Sequence, residues 1–240
     1  MKIVISGYGK MGKEIEEAAL ARGYQVLAKI DTPEDWQAQK RQIIQADVVI
    51  EFSTPDSAPG NIRRCFDLHL PVVVGTTGWY KSEGLVKEWC KNEQQSIFVA
   101  SNFSIGVNIL YSLTGHLTKF INQLDDYEIY LEEIHHIHKL DAPSGTAIKL
   151  AEIILDGLDR KKNWVNRHQV NPEELQILSV REDEIAGIHK ISCESDSDKV
   201  TIKHIAKGRK GFANGALLAA DWLIGKKGYF EMRDMLSLAE

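Results

Sequence analysis

A glycine-rich turn near the N-terminus constrains the fold of this chain more than any other feature. The turn, Gly7-Tyr-Gly-Lys-Met-Gly12, follows an apolar stretch at 2–6 and precedes residues 13–22, whose apolar positions recur at helical spacing. Gly23 ends this stretch, as a glycine commonly does at the C-terminus of a helix. A strand, a tight turn and a helix in this order begin a β-α-β unit, which builds a parallel sheet.

The same alternation continues along the first part of the chain. Short apolar runs rich in β-branched residues occur at 24–30, 46–52, 71–74 and 97–100. They are separated by helix-like stretches at 36–45, 57–68 and 81–92. We therefore predict an α/β fold in which residues 1–104 form a Rossmann-type, doubly wound parallel sheet with helices on both faces.

A second domain is expected after residue 104. Apolar spacing predicts helices at 105–120 and 144–158, with a strand at 127–134. Strands without intervening helices are predicted at 176–181, 189–194 and 199–206. Consecutive strands favour an antiparallel or mixed sheet, so residues 105–212 are predicted to form an α+β domain. The polar segment 159–172 is expected to be a flexible loop, and helices are expected at 213–224 and 231–238.

Composition and charge exclude several classes of protein. The net charge of −5 argues against nucleic-acid binding, and no apolar run approaches the roughly 18 residues that span a membrane. The N-terminal Met-Lys-Ile-Val-Ile lacks the long apolar core of a signal peptide. Cys65, Cys90 and Cys193 form no Cys-x-x-Cys pair, which is typical of a reducing compartment. We expect a cytoplasmic protein that binds neither membranes nor nucleic acids.

In its context between a strand and a helix, the glycine-rich turn predicts a dinucleotide site. Gly7 permits the tight turn, Gly9 lets the backbone approach a pyrophosphate, and Gly12 lets helix and strand pack closely. The N-terminus of the helix presents unpaired N–H groups to the phosphates. The alternative is a Rossmann-like domain that binds no dinucleotide.

Asp31 is expected to select between the two nicotinamide cofactors. It ends the second strand, nineteen residues after Gly12, where a carboxylate accepts hydrogen bonds from the ribose hydroxyls. Its negative charge repels a 2′-phosphate, so NADH is favoured over NADPH. Lys10, Lys29 or Lys40 could partly compensate and admit NADPH.

Polar loops follow three other predicted strands at the same edge of the sheet. They are Ser53-Thr-Pro55, Gly75-Thr-Thr-Gly78 and Ala100-Ser-Asn-Phe103. Open α/β sheets bind ligands beyond the carboxyl ends of their strands. Thr76, Thr77 and Asn102 are therefore candidates to hold the nicotinamide and its ribose, although each loop alone is typical of an ordinary turn.

Three histidines and a lysine lie within His135–Lys139, shortly before a Ser-Gly-Thr helix start at 144–146. This spacing admits a metal site, a solvated basic loop or a cluster of proton donors. Neighbouring side chains of an extended segment point to opposite sides, so at most two could share an ion, and we predict no metal. A histidine can deliver a proton at neutral pH, and a nearby lysine can neutralise a carboxylate or act as a second acid. The Gly145 and Thr146 amides suit another carboxylate, which predicts a reductase that acts on a small dicarboxylate.

The segment Glu133-Ile-His-His-Ile-His-Lys-Leu-Asp-Ala-Pro-Ser-Gly-Thr-Ala147 closely resembles the signature of the 4-hydroxy-tetrahydrodipicolinate reductase family, also called dihydrodipicolinate reductases. The resemblance covers most of the chain. It includes, in the family order, Gly75-Thr-Thr-Gly78, Ala100-Ser-Asn-Phe-Ser-Ile-Gly-Val-Asn108, Phe212-Ala-Asn-Gly-Ala216 and Met232-Arg-Asp-Met-Leu236. It implies that a cyclic hydroxy-dicarboxylate loses water and accepts a hydride from NAD(P)H, on the route to diaminopimelate and lysine.

The resemblance also implies roles for single residues. His135 is then the proton donor and Lys139 the second proton donor, without deciding which of them protonates the ring. The substrate-binding positions are His136, Gly145 and Thr146. The cofactor-binding positions are Gly7, Tyr8, Gly9, Lys10, Met11, Gly12, Asp31, Gly75, Thr76, Thr77, Ala100, Ser101, Asn102 and Phe103. The C-terminal helices, at 213–240, are expected to complete the first domain, and the mixed sheets of the second are expected to assemble a homotetramer.

Three features depart from the family pattern. Little sequence separates Asp31 from Ala46, so the adenosine end of the site is expected to be short. Thr32 stands where some relatives place an arginine for NADPH. Ile188 stands where an acidic residue is expected, which leaves the contacts of that strand open.

Three other functions remain as alternatives. A diaminopimelate or aspartate dehydrogenase shares the architecture but is not expected to carry the segment from His135 to Thr146. A non-catalytic NADH-binding regulator needs the glycine-rich turn but neither His135 nor Lys139. A zinc-binding module would show metal in the purified protein.

Overall fold

A computed structural model describes residues 1–168 and 171–237. The chain divides into two compact units. The first contains Met1–Ser104 and the C-terminal segment that begins at Arg209, and the second contains Ile105–Gly208. In the described ranges no helix is long and apolar enough to cross a membrane.

The first unit is built on a six-stranded sheet in which all neighbouring strands are parallel. Five strands come from the N-terminal part: β1 (Lys2–Ser6), β2 (Gln25–Ile30), β3 (Val48–Glu51), β4 (Val72–Val74) and β5 (Ser96–Val99). The sixth strand, β11 (Gly228–Phe230), was not predicted and pairs with β5. The order is β11-β5-β4-β3-β1-β2, so the chain reverses direction across the sheet at β1. The crevice at such a reversal is where open α/β sheets bind ligands.

Helices accompany the strands of the first unit. They are α1 (Lys10–Ala21), α2 (Pro33–Ala38), α3 (Lys40–Ile43), α4 (Ala58–Asp67), α5 (Glu83–Asn92), α8 (Lys210–Leu223) and α9 (Met232–Leu236), with a 3₁₀ turn at Tyr80–Ser82. The strands are almost wholly apolar because helices cover the sheet, and all four residues of β3 are buried. The prediction of a doubly wound parallel sheet is confirmed.

The predicted helix at 36–45 is wrong as a single element. Thr32 caps a helix that starts at Pro33, and its side chain and that of Asp35 satisfy each other's backbone N–H groups. A proline suits the first turn of a helix, so the start moves upstream of the apolar pattern. Two short helices, α2 and α3, therefore occupy this segment. The predicted helix at 231–238 is observed as Met232–Leu236, and residue 238 lies outside the described residues.

The second unit contains a five-stranded mixed sheet. Its strands are β6 (Glu128–His135), β7 (Asn163–Val165), β8 (Glu174–Arg181), β9 (Ile188–Glu194) and β10 (Lys199–Ile205). Their order in the sheet is β10-β9-β6-β8-β7. Strand β6 is parallel to β8 and antiparallel to β9. The helices α6 (Ile105–Ile121) and α7 (Gly145–Gly157) contribute to an apolar core with Leu131, Leu150 and Ile191. The predicted mixed sheet is confirmed.

The expectation of a flexible loop at 159–172 is wrong in part. Asn163–Val165 forms β7, which pairs with the start of β8. Lys161 is buried, and its ammonium lies 2.7 Å from Glu128 Oε2. A polar composition hid this short edge strand because its stability comes from pairing and one ion pair, not from apolar periodicity. Residues 169–170 of the segment lie outside the described residues.

Candidate active site

The glycine-rich turn leads from β1 into α1, and its three glycines have different surroundings. Gly7 has φ +90°, and a Cβ there would lie 2.3 Å from the Phe52 carbonyl oxygen. A Cβ on Gly12 would lie 2.4 Å from the Gly7 carbonyl oxygen. Gly9 is different, because a Cβ there would meet nothing within 4 Å. The packing of the protein requires the first and last glycines, whereas Gly9 leaves an open stretch of backbone that a ligand can approach closely.

Asp31 follows β2 and is bound to the glycine-rich turn. The Tyr8 N–H donates a hydrogen bond of 2.6 Å to Asp31 Oδ1. The backbone N–H groups of Asp31 and Thr32 both donate to Asp35 Oδ2, at 2.9 Å. Two carboxylates therefore lie at the end of β2. Their charge opposes a further negative group there.

A cavity of about 510 Å³ lies at the carboxyl ends of β1, β2 and β3. Its lining includes Gly7, Gly9, Asp31, Trp36, Phe52 and Arg64. The Arg64 guanidinium donates to Asn61 Oδ1 at 3.2 Å and lies 6.0 Å from the centre of the Trp36 ring. The open backbone at Gly9, the carboxylate at Asp31 and the size of the cavity fit the phosphate and ribose portions of a dinucleotide. Sequence reasoning missed Trp36 and Arg64, which come from α2 and α4.

Lys29 is one of the lysines expected to offset the negative charge of Asp31, but its ammonium is bound by Glu16 and Tyr8. Its ammonium lies 2.6 Å from Glu16 Oε1 and 3.1 Å from the Tyr8 hydroxyl, which itself bonds Glu16. Bonds to Glu16 and Tyr8 raise the pKa of Lys29 and keep it charged. The Lys29 charge is thus paired within the protein.

A buried glutamate joins the loops at the carboxyl edge of the sheet. Glu51 ends β3 with no exposed surface, and the Thr76 hydroxyl donates to its Oε2 at 2.6 Å. Its Oε1 accepts from the Ser53 N–H at 3.2 Å and the Asn61 amide at 3.3 Å. Burial raises the pKa of Glu51, and these hydrogen bonds oppose the rise. The Thr76 hydroxyl is therefore bound within the protein, to Glu51. Sequence reasoning missed Glu51, a carboxylate at the end of an apolar strand.

Other predicted cofactor positions belong to the packing of this edge. A Cβ on Gly75 would lie 2.1 Å from the Phe52 ring. Phe103 is buried, with its ring centre 5.6 Å from that of Phe52. Asn102 Oδ1 accepts from the Ser104 N–H at 2.9 Å. Three predicted positions are exposed at this edge: Lys10, Thr77 and Ser101.

In the second unit, the segment His135–Lys139 begins at the last residue of β6. Ile129, Leu131, Glu133 and His135 alternate on the buried face of this strand. Glu133 is fully buried and His135 is 7% exposed. Glu133 Oε2 and His135 Nδ1 lie 3.3 Å apart, and within the described residues neither atom has a regular hydrogen-bond partner. The last apolar positions of the strand thus carry a carboxylate and an imidazole.

Strand pairing adds two residues that sequence reasoning missed. His189 on β9 lies opposite Glu133, and Arg181 on β8 lies opposite His135. Arg181 donates to Glu133 Oε1 at 3.2 Å, and His189 Nε2 lies 3.2 Å from Ser144 Oγ. Because these residues are remote in sequence, only the sheet register brings them to the histidine motif.

Ser144 connects this cluster to the start of α7. Its N–H donates to Glu133 Oε1 at 3.0 Å, and its Oγ accepts from the Ala147 N–H as the helix cap. A Cβ on Gly145 would meet nothing within 4 Å, so the first turn of α7 is open to a ligand. Thr146 lies next in this turn. The N-terminus of a helix attracts a carboxylate through free N–H groups and the helix dipole.

The remaining members of the motif have separate environments. Lys139 lies 2.8 Å from Asp141 Oδ1, and its carbonyl accepts from Arg181 at 3.4 Å. His138 is exposed and pairs with Glu184 at 2.9 Å. His136 is half-buried, with its ring centre 6.0 Å from that of His138. The structure therefore separates His135, which is buried beside a carboxylate, from His138, which faces solvent.

The pKa shifts in this cluster follow from its contacts. Burial opposes ionisation of Glu133, but contacts with His135, Ser144 and Ser179 outweigh it and hold the pKa of the carboxyl well below its usual range. Burial, with the neighbouring His135, lowers the pKa of His189 to about 4. At neutral pH the cluster therefore contains an ionised Glu133 and a neutral His189.

Glu133, His135 and His189 each offer one atom with the spacing of metal ligands, all within 4.8 Å of one another. The Arg181 guanidinium bonds the same carboxylate and places a full positive charge beside it. That charge opposes a cation, so we interpret the cluster as a hydrogen-bonding and proton-transfer network. The prediction that the chain holds no metal stays a prediction.

The contacts of Ile188 are now defined. It begins β9 and lies opposite Ile134 of β6 and Ile205 of β10. An apolar cross-strand group replaces the acidic residue expected from the family pattern.

A Rossmann-type unit with an open glycine turn, together with a buried imidazole beside a carboxylate, defines an NAD(P)H-dependent oxidoreductase. Residues 1–103 match the family model described as dihydrodipicolinate reductase, N-terminus, and residues 106–236 match the one described as dihydrodipicolinate reductase, C-terminus. The chain belongs to the dihydrodipicolinate reductase family.

Individual relatives agree with this assignment. A 4-hydroxy-tetrahydrodipicolinate reductase of Christiangramia forsetii is 42% identical over 237 residues, which cover 99% of this chain and 98% of the relative. One from Neisseria meningitidis serogroup C is 34% identical over 82% of this chain and 74% of the relative. The solved structure of a dipicolinate-bound dihydrodipicolinate reductase from Paenisporosarcina sp. TG-14 covers 98% of both chains, with a TM-score of 0.80 and 20% identity. This last likeness supports the fold.

Proposed function

We propose that this protein catalyses the NAD(P)H-dependent reduction of 4-hydroxy-tetrahydrodipicolinate to tetrahydrodipicolinate, with loss of water, in the biosynthesis of diaminopimelate and lysine. The observation that carries the proposal is the buried pair of Glu133 and His135 beside the capped start of α7. It combines a proton donor with an anion-binding helix terminus in a chain that also has an open dinucleotide turn.

In the proposed chemistry the substrate hydroxyl leaves as water together with a proton of the neighbouring ring carbon, and the C=C bond that forms then accepts one hydride and one proton. When bound, the nicotinamide supplies the hydride. His135 delivers the proton to the neighbouring ring carbon, because its imidazole is buried and lies 3.3 Å from the Glu133 carboxylate at Nδ1. Lys139 is the second proton donor in this proposal, and its ammonium also balances the charge of the substrate.

The dicarboxylate substrate is held at two kinds of group. The Gly145 and Thr146 amides, at the start of α7, bind one carboxylate. His136 contributes a further polar contact. The open space at Gly145 supports this assignment, since a ligand oxygen can approach the backbone there.

The cofactor in this proposal is NADH in preference to NADPH. Asp31 and Asp35 place two carboxylates at the end of β2, and Lys29 is neutralised by Glu16. A 2′-phosphate would meet this negative charge. Arg64 lines the same cavity, and its positive charge can attract the 2′-phosphate, so NADPH can still bind as the poorer cofactor.

The test is loss of NADH absorbance when the substrate is generated in place by a coupled synthase from pyruvate and aspartate semialdehyde, repeated with NADPH. Oxidation that requires both the synthase and this protein supports the reductase, and the two rates rank the cofactors. Measurable NADH binding without oxidation would instead favour a non-catalytic regulator.

The proposal also includes a cytoplasmic homotetramer that binds a small dicarboxylate. Ile109, Leu113 and Phe120 form an exposed apolar stripe on α6, with Phe120 69% exposed. A stripe of this kind is typical of a protein–protein interface. The three cysteines are free and buried, which suits a reducing compartment. Light scattering on the purified protein should give four times the mass of the chain.

A further inference from the structure

We propose that Glu133 is a positioning residue for the reaction: it fixes the His135 ring through Nδ1 so that Nε2 faces the substrate as the proton-donating atom. This inference rests on the proposed function. The nearest rival is a purely structural role, in which a buried carboxylate satisfies neighbouring polar groups and has no effect on proton transfer.

The two residues share one face of β6 because they are two positions apart on a strand. Glu133 Oε2 lies 3.3 Å from His135 Nδ1. Catalytic hydrogen bonds are commonly long without substrate and shorten when it binds. A carboxylate at Nδ1 makes that nitrogen the one that carries a proton in the neutral ring, and it stabilises the imidazolium. The reactive nitrogen is then Nε2.

The opposite edge of the His135 ring lies against Gly187. A Cβ on this glycine would lie 3.1 Å from His135 Nε2 and 3.2 Å from Cδ2. The absence of a side chain therefore leaves the Nε2 edge unobstructed on this side. A ring held at one nitrogen and open at the other is suited to directed proton transfer.

The carboxylate itself is held from the other side. Glu133 Oε1 accepts from the Ser144 N–H at 3.0 Å and from Arg181 at 3.2 Å. These bonds leave Oε2 for the imidazole. Arg181 also donates to the carbonyl oxygens of Lys139 and Asp141, so one guanidinium supports both proposed proton donors.

Other titratable groups surround the pair. His189 Nε2 lies 3.8 Å from Glu133 Oε2, and its ring meets that of His135 edge-on with centres 5.1 Å apart. Lys139 and His204 add to the effect of burial in lowering the pKa of His189. Glu133 opposes the lowering of the pKa of Asp141. His189 is buried and neutral, whereas His135 directly faces the ionised Glu133. Because Glu133 Oε2 lies 3.3 Å from His135 Nδ1 but 3.8 Å from His189 Nε2, the geometry selects His135 as the imidazole that Glu133 holds.

The test compares Glu133→Gln and Glu133→Asp with the native protein. Glu133→Gln keeps the shape and removes the charge, so kcat should fall about 10- to 100-fold while KM changes little. In a plot of kcat against pH, the alkaline limb of Glu133→Gln should lie at lower pH than that of the native protein, because the imidazolium has lost its neighbouring negative charge. Glu133→Asp keeps the charge and should recover part of the rate and restore the native pH profile.

Glu132→Gln is the matched control. It changes the adjacent residue of β6, which faces the other side and pairs with Lys190 at 3.6 Å. It should leave kcat and the pH profile unchanged. Thermal unfolding of every variant separates lost activity from lost structure. A Glu133→Gln variant with native kcat, or one whose loss comes with an unshifted pH profile, overturns the proposal.

A second readout does not depend on turnover. In ¹⁵N-histidine spectra, assigned with His135→Gln, native His135 should carry its proton on Nδ1 when neutral. Glu133→Gln should give a mixture of tautomers. An unchanged tautomer would refute the positioning role even if the protein reduced another substrate. Conversely, a native protein with the expected tautomer but no turnover would refute the proposed function alone.

Discussion

The Tyr8 amide donates a 2.6 Å hydrogen bond to the Asp31 carboxylate, which joins the glycine-rich turn to the end of β2. The carboxylate that we propose to read the ribose is thereby fixed to the backbone that we propose to approach the phosphates. The two elements of the proposed cofactor site are therefore held together.

Asp31→Ala should weaken NADH binding more than NADPH binding. The substitution removes an acceptor for the ribose hydroxyls, which both cofactors lose in part, but it also removes a charge that repels only the 2′-phosphate. Fluorescence titration of the purified protein with each cofactor measures the two dissociation constants. Equal losses would show that Asp31 does not read the ribose.

A second prediction concerns the two proposed acids. His135→Ala and Lys139→Ala should each lower kcat roughly 10²-fold or more, while NADH binding survives because the dinucleotide turn is untouched. His138→Ala is the control, since its side chain is exposed and pairs with Glu184. Steady-state rates from the coupled assay decide the matter. Near-normal turnover in either variant removes that residue from the chemistry.

Local periodicity was enough to predict most of the fold. The strand and helix order of both units follows from short β-branched runs and helical spacing, and the mixed sheet follows from consecutive strands. The short elements β7, β11 and the pair α2 and α3 were not predicted correctly. Pairing or a cap stabilises them, and neither leaves an apolar pattern.

Only part of the candidate site could be predicted from the sequence, for a similar reason. The motif residues His135 and Lys139 lie four positions apart in one segment, but Arg181 and His189 reach this segment only through strand register. Glu133 did leave a signal, because a charged residue occupies the apolar face of an alternating strand. Such a carboxylate, two residues before a histidine, predicts a contact between the two side chains on that face.

The free energy of unfolding should depend on pH in part through His189. Its folded pKa of about 4 lies below its ordinary value of 6.5, so the unfolded chain binds the proton more readily. The contribution of the neutral, buried ring is fully present above pH 6.5 and is lost as the pH falls from 6.5 towards 4. The pKa of Glu133 is lowered as well, and its contribution is lost only below its ordinary value of 4.5.

His189→Gln should therefore flatten the fall in unfolding free energy across this pH window, while also lowering stability at neutral pH. Urea unfolding at a series of pH values measures both effects. His116→Gln is the control, because His116 is exposed on α6 and should keep the native slope. A native slope in His189→Gln would contradict a neutral buried ring.

Gly187→Ala should impair proton transfer by crowding the proton-donating edge of His135. Its φ of +154° lies in the region that favours glycine, and the new Cβ would lie 3.1 Å from His135 Nε2. Gly208→Ala is a matched control: its φ is +138°, so it suffers similar backbone strain, but its Cβ would meet nothing within 4 Å. Both variants should lose some thermal stability. Only Gly187→Ala should lower kcat further, by about 10-fold, and a similar kcat in the two variants would show that the Nε2 edge is not where the proton leaves.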